Sequence, residues 1–170
     1  TFASSGVGTS THLAGELFMA KTGTRINHVP YKSSGQVILD VIAGHVDMAF
    51  DNIPLVAQQA SAGKLRPLAA TSPDRPALLP AVPPMADFVP GFEATSGHGL
   101  FAPAGTPQAI VDRLSAEVRR ILHSEAIGQQ LVGMGAKPIG NEPNEFVQFI
   151  AAERQKWAEV IESANISIDS

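Results

Sequence analysis

Three times between residues 1 and 71 this chain passes from a short β-type segment through a polar loop into an amphipathic helix. Phe2-Ala3-Ser4 leads through Ser5 to Thr9 into the first helix, and Arg25 to Pro30 leads through Tyr31-Lys32-Ser33-Ser34-Gly35 into the second. Val46 to Phe50 leads through Asp51-Asn52 into the third. Such alternation is the signature of an α/β fold built from βαβ units, with a parallel sheet and right-handed crossovers. In these sheets a ligand sits beyond the carboxyl ends of the strands, where the three loops lie.

The helix limits follow from apolar spacing and from glycine stops. Leu13, Leu17 and Phe18 predict a helix from Ser10 to Lys21, closed by Gly23. Val37, Ile38, Val41 and Ile42 predict the second, ending at Gly44, and Pro54 opens a third through Ala62, stopped by Gly63. Leu65 to Thr71 reads as a further strand, before a proline-dense stretch from Ser72 to Pro84.

Beyond that stretch the pattern changes. A strand over Phe92 to Phe101 is expected to lead to Thr106 as an N-cap and Pro107 as the first helical residue. Ile110, Val111, Leu114, Val118, Ile121 and Leu122 trace an apolar stripe, a second helix covers Ser124 to Met134, and a long one starts at Pro143. Three helices with one strand leave apolar faces in need of a sheet that these residues do not supply.

The first loop, Ser5-Gly6-Val7-Gly8-Thr9-Ser10-Thr11-His12, has free amides and hydroxyls where a helix begins, the composition of an anion receptor. A tight turn capped by Thr9 or Ser10 accounts for the same residues. Nucleotides are disfavoured, because Thr11 stands where a dinucleotide fingerprint needs glycine and no Gly-Lys-Ser/Thr occurs. The 170 residues carry a net charge of -4 with twelve scattered Lys and Arg, so nothing speaks for nucleic acid. With no cysteine there is no thiolate metal site or thiol nucleophile, and the histidines lack metal-ligand spacing, so neither a metal nor a cofactor is expected. No apolar run is long enough to span a membrane. The start has no charged and apolar leader, and the chain reads as a fragment or a processed product.

Taken together, Gly6-Val7-Gly8-Thr9-Ser10-Thr11-His12, His28-Val29-Pro30-Tyr31-Lys32, Phe50-Asp51-Asn52, Gly63-Lys64-Leu65-Arg66-Pro67-Leu68-Ala69 and Leu100-Phe101-Ala102-Pro103-Ala104-Gly105-Thr106-Pro107 resemble the Bug family. These are extracytoplasmic solute-binding receptors of tripartite tricarboxylate transporters, and the likeness runs in order over nearly the whole chain. The resemblance implies a type II periplasmic-binding-protein fold in which two α/β lobes clamp a small organic anion. Residues 1–93 would form the inserted second lobe and residues 94–170 the C-terminal part of the first, whose N-terminal sheet has no counterpart here. Ligand carboxylates would be held by backbone amides, hydroxyls and water, with Gly6, Val7, Gly8, Thr9, Ser10 and His12 as the leading contact and Tyr31, Asp51 and Asn52 lining the second lobe. Ser33 stands where glycine is usual, and Ser96-Gly97-His98-Gly99 replaces a stretch usually carrying aromatics, so His98 is expected to bear on ligand choice.

Among these residues His12 suits either loop orientation or carboxylate contact, and Tyr31 either anion binding or packing. Asp51 would repel a carboxylate, which favours a structural role or recognition of an amino acid's ammonium group. Ser10, His12 and Asp51 are hydrolase-like residue types, yet His12 follows Ser10 by two positions, unlike the distant histidine of a triad. The sequence therefore predicts a periplasmic, non-enzymatic receptor for a mono-, di- or tricarboxylate or an amino acid, delivering it to membrane permease subunits. A carboxylate sensor or interaction module is the alternative. By itself the chain is expected to bind weakly and to self-associate through its uncovered helices.

Overall fold

The computed structural model describes residues 1–167. They form two compact units, one of Thr1–Ser96 with the residues from Trp157 onward, the other of Gly97–Lys156.

The first unit is built on three parallel strands, β1 (Phe2–Ser4), β2 (His28–Pro30) and β3 (Met48–Ala49), in the order β2-β1-β3. Phe2 lies opposite His28 on one side and Met48 on the other, so the central strand is the first in the chain. Its residues alternate between faces. Phe2, fully buried, packs with Ala14, Leu17, Phe50, Phe92, Ala94 and Val160; Ala3, also fully buried, packs with Val37 and Val46.

Three helices follow the strands: α1 (Ser10–Thr22), α2 (Ser34–Ala43) and α3 (Ile53–Ser61). Glycine in the left-handed region closes the first two, with φ 67° at Gly23 and 76° at Gly44, and the Gly23 N–H bonds the Met19 carbonyl at 2.9 Å. The helices thus lie within one or two residues of the limits that spacing and glycine stops predict.

Two expected strands are absent among the described residues. Over Leu65 to Thr71 only Ala70 bridges, to Pro84, through bonds of 2.8 Å from its N–H to the Pro83 carbonyl and 2.7 Å from the Met85 N–H to its own carbonyl. Pro67 cannot donate to a ladder, and the facing residues Pro83 and Pro84 cannot either, so pairing stops at one bridge. From Phe92 the chain buries Phe92 and Ala94 in the first cluster but forms no strand before Phe101. Gly97 and Gly99 interrupt that segment and weaken any extended pairing.

The second unit holds α4 (Gln108–Leu122), α5 (Glu125–Gly133) and most of α6 (Pro143–Ser163). Thr106 is not the cap of α4: its hydroxyl donates to the Pro103 carbonyl at 2.8 Å, closing a turn through Gly105 at φ 82°, and Pro107 takes the capping position. Residues of the α4 stripe stay open to solvent, with Ile110, Leu114 and Ile121 all exposed. The last turns of α6 belong to the first unit, where Val160 is buried with Phe2 and Trp157 packs against the same cluster.

Gly15 lies in the middle of α1, where glycine costs up to about 1 kcal/mol relative to alanine. A Cβ there would sit 2.6 Å from Phe2 Cζ, so its absence lets the helix approach the strand. Gly15→Ala is therefore expected to lose roughly 1–3 kcal/mol from overpacking despite its better helix propensity. A urea midpoint raised above that of the parent chain would contradict this close approach.

Candidate functional site

The carboxyl ends of the three parallel strands bring the loops at Ser5, Tyr31 and Phe50 to one edge of the sheet, within the first unit. The Tyr31 N–H bonds the Ser4 carbonyl at 2.9 Å, joining the second loop to the first. At the N-terminus of α2 the Ser34 hydroxyl donates to Asp51 Oδ1 at 2.9 Å, joining the second to the third. The N-termini of α1, α2 and α3 all open on this edge, each carrying the positive end of a helix dipole.

The first loop is held from inside. Thr11 Oγ1 accepts the Ser5 N–H at 3.0 Å and lies 3.0 Å from both Ser5 Oγ and Thr9 Oγ1. The Gly6 carbonyl accepts from Thr9 Oγ1 at 2.7 Å, the Thr9 N–H at 3.3 Å and Ser4 Oγ at 3.1 Å. Because N–H and C=O point oppositely across a trans peptide, binding this carbonyl inside the loop turns the Val7 N–H outward. Gly6 and Gly8, at φ 139° and 75°, supply backbone angles that other residues rarely adopt. Among the described residues the amides of Val7, Ser10 and Thr11 have no acceptor. Val7 stands 46% exposed at the tip.

His12 is buried beneath this loop with both ring nitrogens engaged. Nδ1 accepts the Gly8 N–H at 3.1 Å, and Nε2 lies 3.3 Å from Glu16 Oε1. That pattern assigns the neutral tautomer with hydrogen on Nε2. The ring stacks on His28, centroids 3.9 Å apart and 14° from parallel, and Phe2 also stacks on His28, at 4.8 Å. His28 Nε2 lies 2.6 Å from Ser4 Oγ, which also accepts the Gly6 N–H at 3.2 Å. Burial, and then the neighbouring His12, lower the His28 pKa to about 4.

The other predicted residues are placed as follows. Ser10 is exposed, and its hydroxyl accepts from Ser96 Oγ at 2.9 Å. Tyr31 packs against the Ala3, Val37 and Val46 cluster, and its hydroxyl donates to Asp40 Oδ2 at 2.7 Å; that bond to the carboxylate raises the phenol pKa. Asp51 Oδ1 accepts the Asn52 N–H at 2.7 Å besides Ser34 Oγ, while Oδ2 is buried without a partner among the described residues. Asn52 is exposed at the head of α3, and neither its side chain nor that of Ser33 caps the helix it precedes. His98 belongs to the second unit and is exposed. Thus Gly6 to His12, Tyr31, Asp51 and Asn52 share one edge of one unit.

Sequence reasoning missed Ser4, Glu16 and His28 as parts of this edge, and gave Thr11 and Ser34 no role beyond membership of their loops. Only the parallel register, which sets His28 beside Phe2 and Pro30 beside Ser4, brings the second histidine under the loop.

The model of the tripartite tricarboxylate transporter family receptors, TctC, matches residues 1–166. The chain belongs to this family. Protein BugT of Bordetella pertussis is 38% identical over 161 residues, covering 94% of this chain and 49% of BugT. The R. palustris protein Rpa4515, solved with adipate, is 36% identical with a TM-score of 0.85, over 98% of this chain and 56% of that one. MatC from Rhodopseudomonas palustris, solved with bound malate, is 26% identical with a TM-score of 0.74, over 94% and 56%. This member thus spans about half the length of BugT and of these structures. Its α/β fold is that of the periplasmic receptors it matches, including BugD.

The lowered His28 pKa has a signed consequence. Between about pH 6.5, the ordinary histidine value, and pH 4 the unfolded chain binds the proton that the folded chain refuses. Stability from this group is complete above pH 6.5 and drains away as pH falls towards 4. His28→Gln should flatten the dependence of the thermal midpoint over that window; an unchanged difference between pH 7 and pH 4.5 in the variant would contradict it.

Proposed function

We propose that this chain supplies one carboxylate-holding wall of a two-lobed periplasmic solute-binding receptor, which closes around a small organic carboxylate and passes it to the permease subunits of a tripartite transporter. The observation that carries the reading is the cluster of unclaimed amides at Val7, Ser10 and Thr11 in a member of this receptor family. Amides aimed outward at a helix N-terminus take up a carboxylate without a cationic side chain. Carboxylates on Rpa4515 and MatC support the ligand class. Residues 1–93 make the inserted lobe in this reading, and 94–170, which carry His98, contribute to the other.

Within the wall, Gly6, Val7, Gly8, Thr9 and Ser10 shape the amide cradle, Val7 covers the ligand's methylene chain, and Asn52 with the open first turns of α2 and α3 adds donors. His12, Tyr31 and Asp51 act through their neighbours, since each is already engaged inside the protein. Catalysis is not part of this function. Ser10 is paired with Ser96, and the His12 nitrogens with Gly8 and Glu16, which is no nucleophile and base.

Calorimetry on the full-length receptor with adipate, malate and amino acids tests this function. Saturable one-to-one binding of at least one acid is expected, and its absence from a folded protein would sink the reading. Gly6→Ala, which imposes a Cβ on a backbone at φ 139°, should weaken binding by about ten- to a hundredfold, the equivalent of roughly 1–3 kcal/mol of loop strain. The 170-residue chain alone should self-associate through the exposed α4 stripe, and a monomeric elution volume at all concentrations would contradict that.

A further inference from the structure

We infer that His12 and His28 are positioning residues that together clamp the anion loop, His12 holding the Val7–Gly8 peptide by a proton-sensitive bond and His28, through Ser4, holding the Gly6–Val7 peptide. The inference rests on the carboxylate-binding reading only for its effect on affinity. The clamp itself stands on the geometry beneath the loop.

Two consecutive peptide planes of the loop are fixed by one stacked pair of rings. The Val7–Gly8 plane is fixed by the bond from the Gly8 N–H to His12 Nδ1 at 3.1 Å. The Gly6–Val7 plane is fixed at its carbonyl by Ser4 Oγ, at 3.1 Å, together with Thr9. Ser4 Oγ is itself set by His28 Nε2 at 2.6 Å, and it receives the N–H of Gly6 from the preceding plane. The rings lie 3.9 Å apart, so the two holds are mechanically and electrostatically joined.

Protonation acts on the two holds differently. A proton on His12 Nδ1 removes the lone pair that accepts the Gly8 N–H and sets two donors against each other, while Nε2–H keeps Glu16. The glycine at position 8 lets the peptide turn away without a steric penalty. A proton on His28 obliges Nε2 to donate to Ser4 Oγ, so the serine hydrogen must point to the Gly6 carbonyl, which keeps the hold on the Gly6–Val7 peptide. Parallel rings at this distance also resist carrying two charges. Among the described residues, the charged or titratable groups in contact with the pair are Glu16 from α1 on His12, and each histidine on the other. From β1 come only the Phe2 ring and the Ser4 hydroxyl.

Acidification therefore frees the Val7–Gly8 peptide next to the outward Val7 amide, and a carboxylate must reorder it at its own cost. If the ligand binds only the neutral clamp, affinity falls about tenfold for each pH unit below the ring's titration. Occupancy must reciprocally oppose protonation.

The decisive measurement is an NMR titration of the 170-residue chain from pH 7.5 to 4.5 without ligand, following the His12 and His28 ring protons and the backbone amides of Gly6 and Gly8. The Gly8 amide should move with the same midpoint as the His12 ring, and in His12→Gln it should lose that titration while the folded spectrum is retained. A Gly8 amide that ignores the ring titration in the parent chain overturns the clamp, whatever the variant does. Adipate binding by the full-length receptor is then compared with His12→Gln across the same range, since adipate's own carboxyl groups titrate there and the variant keeps that contribution while lacking the His12 hold. A steeper loss in the parent supports the clamp's control of affinity, and identical slopes refute it. Absence of binding at pH 7.5 counts against the carboxylate reading instead, and the clamp then stands or falls on the Gly8 amide titration alone.

Discussion

The packing of Phe2 against Gly15 sets the geometry of the whole first unit. Phe2 is fully buried on the central strand, and the missing side chain at position 15 allows α1 to descend onto its ring. One helical turn earlier, the same descent lays His12 over His28. Were the helix an ångström farther away, the stack and the bond to Gly8 would both be lost, because dispersion contacts and hydrogen bonds decay over that distance. A core contact thus determines the direction of backbone amides at the sheet edge.

Polar groups at that edge divide into two sets. The hydroxyls of Ser4, Ser5, Thr9 and Thr11 satisfy the loop itself, whereas the amides of Val7, Ser10 and Thr11 are left over. The first amides of a helix have no intrahelical acceptor, so those of Ser10 and Thr11, with that of Val7 beside them, remain available at the start of α1 for a partner from outside the chain. In the proposed function, recognition through backbone dipoles suits a chain of net charge -4 whose twelve Lys and Arg are scattered along the sequence.

Helices and their ends are legible in the sequence because they depend on local spacing and on glycine stops, as at Gly23 and Gly44. The three-strand alternation likewise survives in the parallel sheet. Strands over Leu65 to Thr71 and Phe92 to Phe101 are expected wrongly because a strand exists only with a neighbour, and β-type composition cannot show whether one is present. Thr106 fails as a cap because α4 begins one residue later than expected, which puts Pro107 at the capping position, and the Thr106 hydroxyl donates to the Pro103 carbonyl. At the site, the glycine loop and His12 are visible as residue types in a suggestive order. The role of His28 is not, since it arises from register between strands separated by a whole helix.

The hydroxyl network within the loop has a further consequence for how such a receptor diversifies. Val7 sits at the tip with its side chain outside the bonds that hold the loop together. Its size and shape can drift without disturbing the frame that aims the amides. In the proposed function, scaffold and selectivity are thus separable: a different side chain at position 7 changes the wall and leaves the amide cradle as it is.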